Sequence, residues 1–210
     1  MTETAGVYAE PALPLPRASE PCTSDADAAL MARVGRGDVQ AFTVIVERYT
    51  PQLYRVCRRM LNGGGEAEDI VQEAFAKLWQ TAPQWRAQGG GLPAWLHRVA
   101  VNRCLDRLRQ FRVITTDTMP DVADEAPGPE RALAMQRLSE TVENALASLP
   151  GRHRAAIVLC YFEGLSNILA AQVLELNLKA MESLLFRARR SLRELLEARG
   201  VRSDDLELLQ

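Results

Sequence analysis

Eighteen residues near the middle of the chain, 113–130, read VITTDTMPDVADEAPGPE and suit neither a helix nor a buried strand. They hold three prolines, five acids and little periodicity, and proline fixes φ while removing a backbone donor. On both sides of this stretch, apolar residues recur at three- and four-residue steps. The expected fold is therefore all-α, with two small helical domains over 25–112 and 131–199 joined by a flexible acidic linker. Residues 1–24 are rich in Pro, Ala, Glu and Thr and read as a disordered tail. Residues 200–210 read as a short acidic tail.

Composition narrows the function. With 210 residues, 47% of them apolar and 25% charged, the chain can bury a usable core as one domain or as two. Nothing apolar runs long enough to cross a bilayer, and the N-terminus lacks the basic-then-apolar order of a signal peptide. A cytoplasmic location is the expectation. Cys22, Cys57, Cys104 and Cys160 are scattered without paired spacing, which suggests neither a zinc site nor a disulfide framework; the last three are expected as buried free thiols. His97 and His153 stand at no metal-site or triad spacing with a Cys or an acid, so neither a catalytic centre nor a metal or other cofactor is expected. No phosphate-binding Gly-rich loop followed by Lys-Ser/Thr is present.

The net charge of −2 hides segregation. Arg86 to Arg112 carries six arginines against Asp106, or +5, and Leu176 to Arg193 carries five cations against Glu182, or +4, while 115–130 contributes −5. Two basic segments divided by an acidic one suit a polyanion held at two points.

In the first half, Gly37 and Asp38 break one helix and cap the next, whose apolar positions include Phe42, Ile45, Val46, Tyr49, Leu53, Tyr54, Val56 and Leu61. Pro51 is expected to kink or split that helix. Asn62 and glycines 63 to 65 end it. Glu66 to Gln80 then puts Ile70, Val71, Ala74, Phe75 and Leu78 on one arc and Glu66, Asp69, Gln72, Glu73 and Lys77 on the other. Glycines 89 to 91 and Pro93 open a further helix. Leu96, Val99, Ala100, Cys104 and Leu108 point inward on it, with His97, Arg98, Asn102, Arg103, Arg107 and Arg109 on its surface. Trp95 reads as a core aromatic; Trp85 is open between core and binding loop. In the second half, Gly164 ends a helix, Ser166 caps a short one and Asn177 caps the last. Helix, three-residue turn, helix is a helix-turn-helix pattern. On the last helix Met181, Leu184, Leu185, Ala188, Leu192, Leu195 and Leu196 face in. Lys179, Ser183, Phe186, Arg190 and Arg193 face out.

The segment EDIVQEAFAKLW resembles the polymerase-binding helix of the bacterial extracytoplasmic-function (ECF) sigma factors of the sigma-70 family. AF…ERY.P.LYR resembles the first helices of their promoter-melting domain. LPGRHRAAIVLCYFEGLSNILAAQVLELNLKAMESLLFRARRSLRELL resembles their minus-thirty-five-binding domain throughout. The resemblance covers about residues 26–111 and 131–198 and implies an alternative sigma factor without catalytic chemistry, whose partners are core RNA polymerase, promoter DNA and commonly an anti-sigma factor. It implies polymerase binding by Asp69, Gln72, Glu73 and Lys77, and minus-ten recognition by a loop at about 84–92. Gln84, Trp85, Arg86, His97, Arg98, Asn102, Arg103 and Arg107 would contact that element. Lys179, Ser183, Phe186, Arg187, Arg190 and Arg193 would contact the minus-thirty-five element. A stress or envelope response is implied as the setting. Departures from the family's pattern are Glu175 where Gly is common, Asn177 where Ser is, Leu169-Ala170-Ala171 where an acid-apolar-Ala triplet is, and Glu182 where Lys is. A polymerase-independent regulator with a C-terminal helix-turn-helix is the alternative, and it leaves the EDIVQEAFAKLW motif and the Trp-bearing basic loop without a purpose.

Overall fold

The computed structural model describes residues 25–63, 65–87, 89–114 and 130–201, apart from the side chains of 111–114 and 130–135. The tail over 1–24, most of the expected linker and 202–210 lie outside the described residues. Helices α1 (Asp25–Val34), α2 (Val39–Leu61), α3 (Gly65–Thr81) and α4 (Gly91–Ile114) form the first group. Helices α5 (Glu130–Ser148), α6 (Gly151–Ile157), α7 (Asn167–Val173) and α8 (Leu178–Glu197) form the second. A 3-10 turn, Ala82–Gln84, follows α3, and a π-helical turn, Val158–Phe162, follows α6. Among the described residues there is no strand, in keeping with the all-α expectation.

The Asp38 carboxylate accepts from the Ala41 N–H at 3.0 Å and pairs with Arg33 at 2.8 Å, which starts α2. Asp27 on α1 is buried and accepts from the Tyr49 hydroxyl and the Arg48 guanidinium, each at 2.5 Å, tying α1 to α2. Burial, with the Asp27 carboxylate beside it, pushes the Tyr49 hydroxyl well above its usual range, so it stays protonated and donates. Pro51 does not split α2, which runs unbroken from Val39 to Leu61. Buried Ile45, Tyr49, Leu53 and Val56 pack on the core on both sides of the proline, and this packing outweighs the lost hydrogen bond. Asn62 closes the helix at φ 56°, a left-handed value that Asn tolerates. Helix α3 buries Ala67, Ile70, Val71, Ala74, Phe75 and Leu78, the expected arc.

In the second group, Gly164 takes φ 66° after the π-helical turn. Ser166 Oγ accepts from Leu169 N and Asn177 Oδ1 from Ala180 N at 2.8 Å, so both predicted caps form. Between α7 and α8 the Leu176 N–H returns to Ala171 O and the Glu175 N–H to Gln172 O, the paired bonds of a Schellman turn. That turn places Glu175 at φ 55°, where a side chain crowds its own backbone. Replacing Glu175 with glycine is expected to stabilise the protein by about 0.5–1 kcal/mol, because relieved strain exceeds the extra unfolded-state entropy of glycine. Thermal unfolding followed by circular dichroism should show the midpoint rise by roughly 2–4 °C.

The two groups pack on each other, with α4 at the centre. It lies against α2 and α3 on one side and against α6 and α7 on the other. At the start of α6, a Cβ on Gly151 would come within 3.0 Å of Leu105 Cδ2 on α4, so only glycine allows this approach without a shift. Arg154 is 5% exposed and joins the groups through backbone carbonyls. It donates to Met60 O at the end of α2 at 2.5 Å, and to Ala147 O at the end of α5. Those carbonyls have no partner within their own helices, and a cation suits a helix C-terminus. Cys57, Cys104 and Cys160 are buried free thiols, as expected.

Candidate nucleic-acid and polymerase interface

Three surfaces carry the residues singled out in the sequence. The first is a cleft of about 510 Å³ between the end of α3 and the start of α4. Its walls are Thr81, Gln84, Trp85 and Arg86 on one side and Gly90, Ala94, Trp95 and Arg98 on the other. Proline at the start of the 3-10 turn ends α3, and glycines at φ 52° (Gly89) and 68° (Gly91) bend the chain back into α4. Two half-buried indoles, two guanidinium groups and a side-chain amide thus converge on a concave site. Such a set can stack a planar ring, hydrogen-bond its edge and hold a neighbouring phosphate.

Gln84, Arg86 and Asn102 are exposed and Arg98 half-buried, as a binding surface needs. Arg103 and Arg107 are partly committed elsewhere. Arg103 lies 3.3 Å from Glu73, and Arg107 lies 3.2 Å from Glu66 and 3.6 Å from Glu73, clamping α4 to α3. His97 corrects the sequence reading. Expected on the DNA-facing surface, it is 2% exposed, with Nδ1 2.8 Å from Pro93 O. Burial pushes its pKa below the usual value, so the ring is neutral and offers no cation to a phosphate. The cause is that α4 is covered on two sides, which buries positions that a single apolar stripe would leave exposed. Trp95, read as a core aromatic, lines the cleft as well as packing on the core. Gln172 also shapes it and has no place in the sequence reading; no sequence signal marks it.

The second surface is the outer face of α3. Asp69, Gln72 and Lys77 are exposed there, whereas Glu73 is half-buried and held by the arginines of α4. Trp79, 37% exposed, stands edge-on to Phe42 at 5.0 Å beside this face. The third surface is the outer face of α8. Lys179, Ser183, Phe186, Arg187, Arg190 and Arg193 are all exposed on it, with Phe186 at 51%. Arg190 reaches Glu194 at 3.1 Å, an exposed pair that contributes little and yields readily to a phosphate. Met181, Leu184, Leu185, Ala188 and Leu196 are buried behind it, while Leu192 and Leu195 are half-buried. Among the described residues no helix is long and apolar enough to cross a membrane.

An aromatic cleft in one helical group and a basic helix-turn-helix in the other are the kind of surfaces that a nucleic acid needs. Comparison with known proteins gives the family. The Sigma-70 region 2 profile matches residues 45–112, and the Sigma-70, region 4 profile matches residues 139–192. The ECF RNA polymerase sigma factor SigW of Bacillus subtilis is 31% identical over 173 residues, covering 77% of this chain and 92% of SigW. The RNA polymerase sigma factor CnrH of Cupriavidus metallidurans is 32% identical over 185 residues, covering 83% of this chain and 96% of CnrH. The solved structure of CnrH in complex with the cytosolic domain of CnrY matches with a TM-score of 0.60 at 28% identity, over 83% of this chain and 99% of that one. That of the sigma factor RpoE in complex with the anti-sigma factor NepR from Bartonella quintana matches with a TM-score of 0.58 at 26% identity, over 74% and 96%. The chain belongs to the ECF sigma factors of the sigma-70 family. It is a promoter-specific initiation factor for RNA polymerase.

Proposed function

We propose that the three surfaces divide the work of initiation between the domains, region 2 over 25–112 and region 4 over 131–199. The exposed residues of α3, Asp69, Gln72 and Lys77, meet core polymerase, with Glu73 contributing through its edge. The α8 face, Lys179, Ser183, Phe186, Arg187, Arg190 and Arg193, enters the major groove of the minus-thirty-five element. The cleft of Trp85 and Trp95 receives a base pulled from the stack of the minus-ten element, its edge read by Gln84 and its backbone held by Arg86, Arg98 and Asn102. Arg103 and Arg107 reach phosphate from their pairs with α3. The observation that carries this reading is the cleft: two indoles and two guanidinium groups suit an unstacked nucleotide far better than a duplex.

No step of this mechanism makes or breaks a covalent bond, so the chain acts as a binding factor in the cytoplasm. The complex of RpoE with the anti-sigma factor NepR supports an anti-sigma partner for this chain, and the likeness to ECF sigma factors is the ground for placing it in a stress or envelope response. Core association tests the assignment on α3. The labelled full chain is titrated with sigma-free core polymerase beside an Asp69→Arg, Gln72→Arg variant, which spares the Glu73 pairs. Wild type should bind, and the variant should lose about tenfold or more in affinity. Tight duplex binding without any core affinity would instead favour a polymerase-independent regulator.

A further inference from the structure

Along α8 from Leu178 to Arg193, Glu182 is the one acid against five cations. The fold makes no use of it. It is exposed and forms no ion pair among the described residues, whereas Glu194 on the same helix is taken by Arg190 at 3.1 Å. Leu185 and Phe186 stand where a helical cation partner would follow it, and Lys179, three residues before it, does not pair with it. Nor does the helix dipole account for it. Glu182 is the fifth residue of α8, beyond the first turn in which an acid is stabilised.

Its direction, by contrast, is fixed. Asn177 Oδ1 accepts from Ala180 N at 2.8 Å and sets the start of α8. Met181 and Leu185 are buried, so the helix cannot roll, and Glu182 stands outward between Lys179 and Phe186, one turn before and one turn after it. A recognition helix meets base edges with its N-terminal turns, which here carry these three residues.

A carboxylate placed there has few partners. It accepts hydrogen bonds and donates none, and phosphates repel it. In the major groove guanine offers two acceptors, and thymine an acceptor and a methyl group. Adenine sets its N6 donor beside the N7 acceptor, which the second carboxylate oxygen would face. Cytosine alone offers a donor, N4, with no acceptor beside it.

We propose that Glu182 is a specificity-determining residue of α8 that accepts from N4 of a cytosine in the minus-thirty-five element. The contact selects against the other three bases at that position, while Lys179 and the arginines of the same face offset repulsion from the nearest phosphates. Phe186, 51% exposed, would shield the bond from water. This rests on the reading of α8 as the helix that enters the major groove, and adds to it the base that the helix prefers.

The test is transcription by core polymerase carrying the full chain, on one mapped promoter whose upstream element is randomised. Each transcript carries a tag for its template, so base preference is read at every position. Glu182→Gln and Glu182→Arg are compared with wild type, since Gln pairs with adenine N6 and N7 and Arg with guanine O6 and N7. An Arg190→Ala, Arg193→Ala variant is the control for the helix itself. Wild type should prefer cytosine about tenfold at one upstream position. Glu182→Gln should shift that position alone toward adenine, and Glu182→Arg should shift it toward guanine. The arginine variant should lower output from all templates and keep the cytosine preference. Unchanged preferences in both Glu182 variants, whatever their output, would overturn the cytosine contact and leave an acid that only weakens binding. An upstream element without preference at any position, with the arginine variant equal to wild type, would overturn the groove reading of α8 itself.

Discussion

Replacing Arg154 with methionine is expected to cost about 3 kcal/mol of stability. The side chain is 5% exposed, and methionine keeps most of its length and apolar contact. What disappears is the set of charge-assisted bonds to Met60 O and Ala147 O, with a weaker third to Leu149 O at 3.4 Å. Each bond of this kind contributes about 1.5–3 kcal/mol, and carbonyls left buried without a donor add to the loss. Thermal unfolding should begin roughly 6–12 °C lower. Lysine at this position should rescue only in part, since an ammonium lacks the planar fork that reaches carbonyls on two helices at once. Because the partners of Arg154 lie in both domains, the variant should also loosen the packing of one domain on the other.

The second large effect is expected at Trp85. Stacking of one base on an aromatic ring contributes about 1–3 kcal/mol, so Trp85→Ala should slow open-complex formation by about 5- to 100-fold while leaving core affinity unchanged. Potassium permanganate footprinting on a cognate promoter separates the two, because it reads unpaired thymines rather than binding. A Trp85→Phe variant should retain most activity. If Trp85→Ala melted promoters at the wild-type rate, the base would have to be held elsewhere, with Trp95 the next candidate.

Local chemistry made much of the fold legible in the sequence. The arc of Ile70, Val71, Ala74, Phe75 and Leu78 is buried as its period requires. The caps at Asp38, Ser166 and Asn177 formed because a short polar side chain before a helix needs only its own neighbours. Misreadings arose where distant parts of the chain meet. Period alone gives a helix one buried face, and α4 has two, so the period puts His97 on the surface; Trp95 packs on the core as its sequence suggests and lines the cleft as well. Pro51 leads to the expectation of a kink or a split in α2, and there is no split because packing against its neighbours α3 and α4 carries the helix through the proline. The contact between Gly90 and Gln172 spans 82 residues and has no signature in either segment. The exposed face of α8 was read correctly because solvent, unlike a partner helix, leaves a polar pattern on sequence.

The most direct measurement of the central claim is mapped transcription in vitro. The purified full chain is added to sigma-free core polymerase with a pool of promoter-bearing genomic fragments, and transcript 5′ ends are sequenced. A discrete set of starts is expected, absent with core alone and lost with the Asp69→Arg, Gln72→Arg variant, sharing one motif upstream of each start in two parts spaced for the two domains. Starts no different from those of core alone, from a protein shown to be folded, would contradict the account.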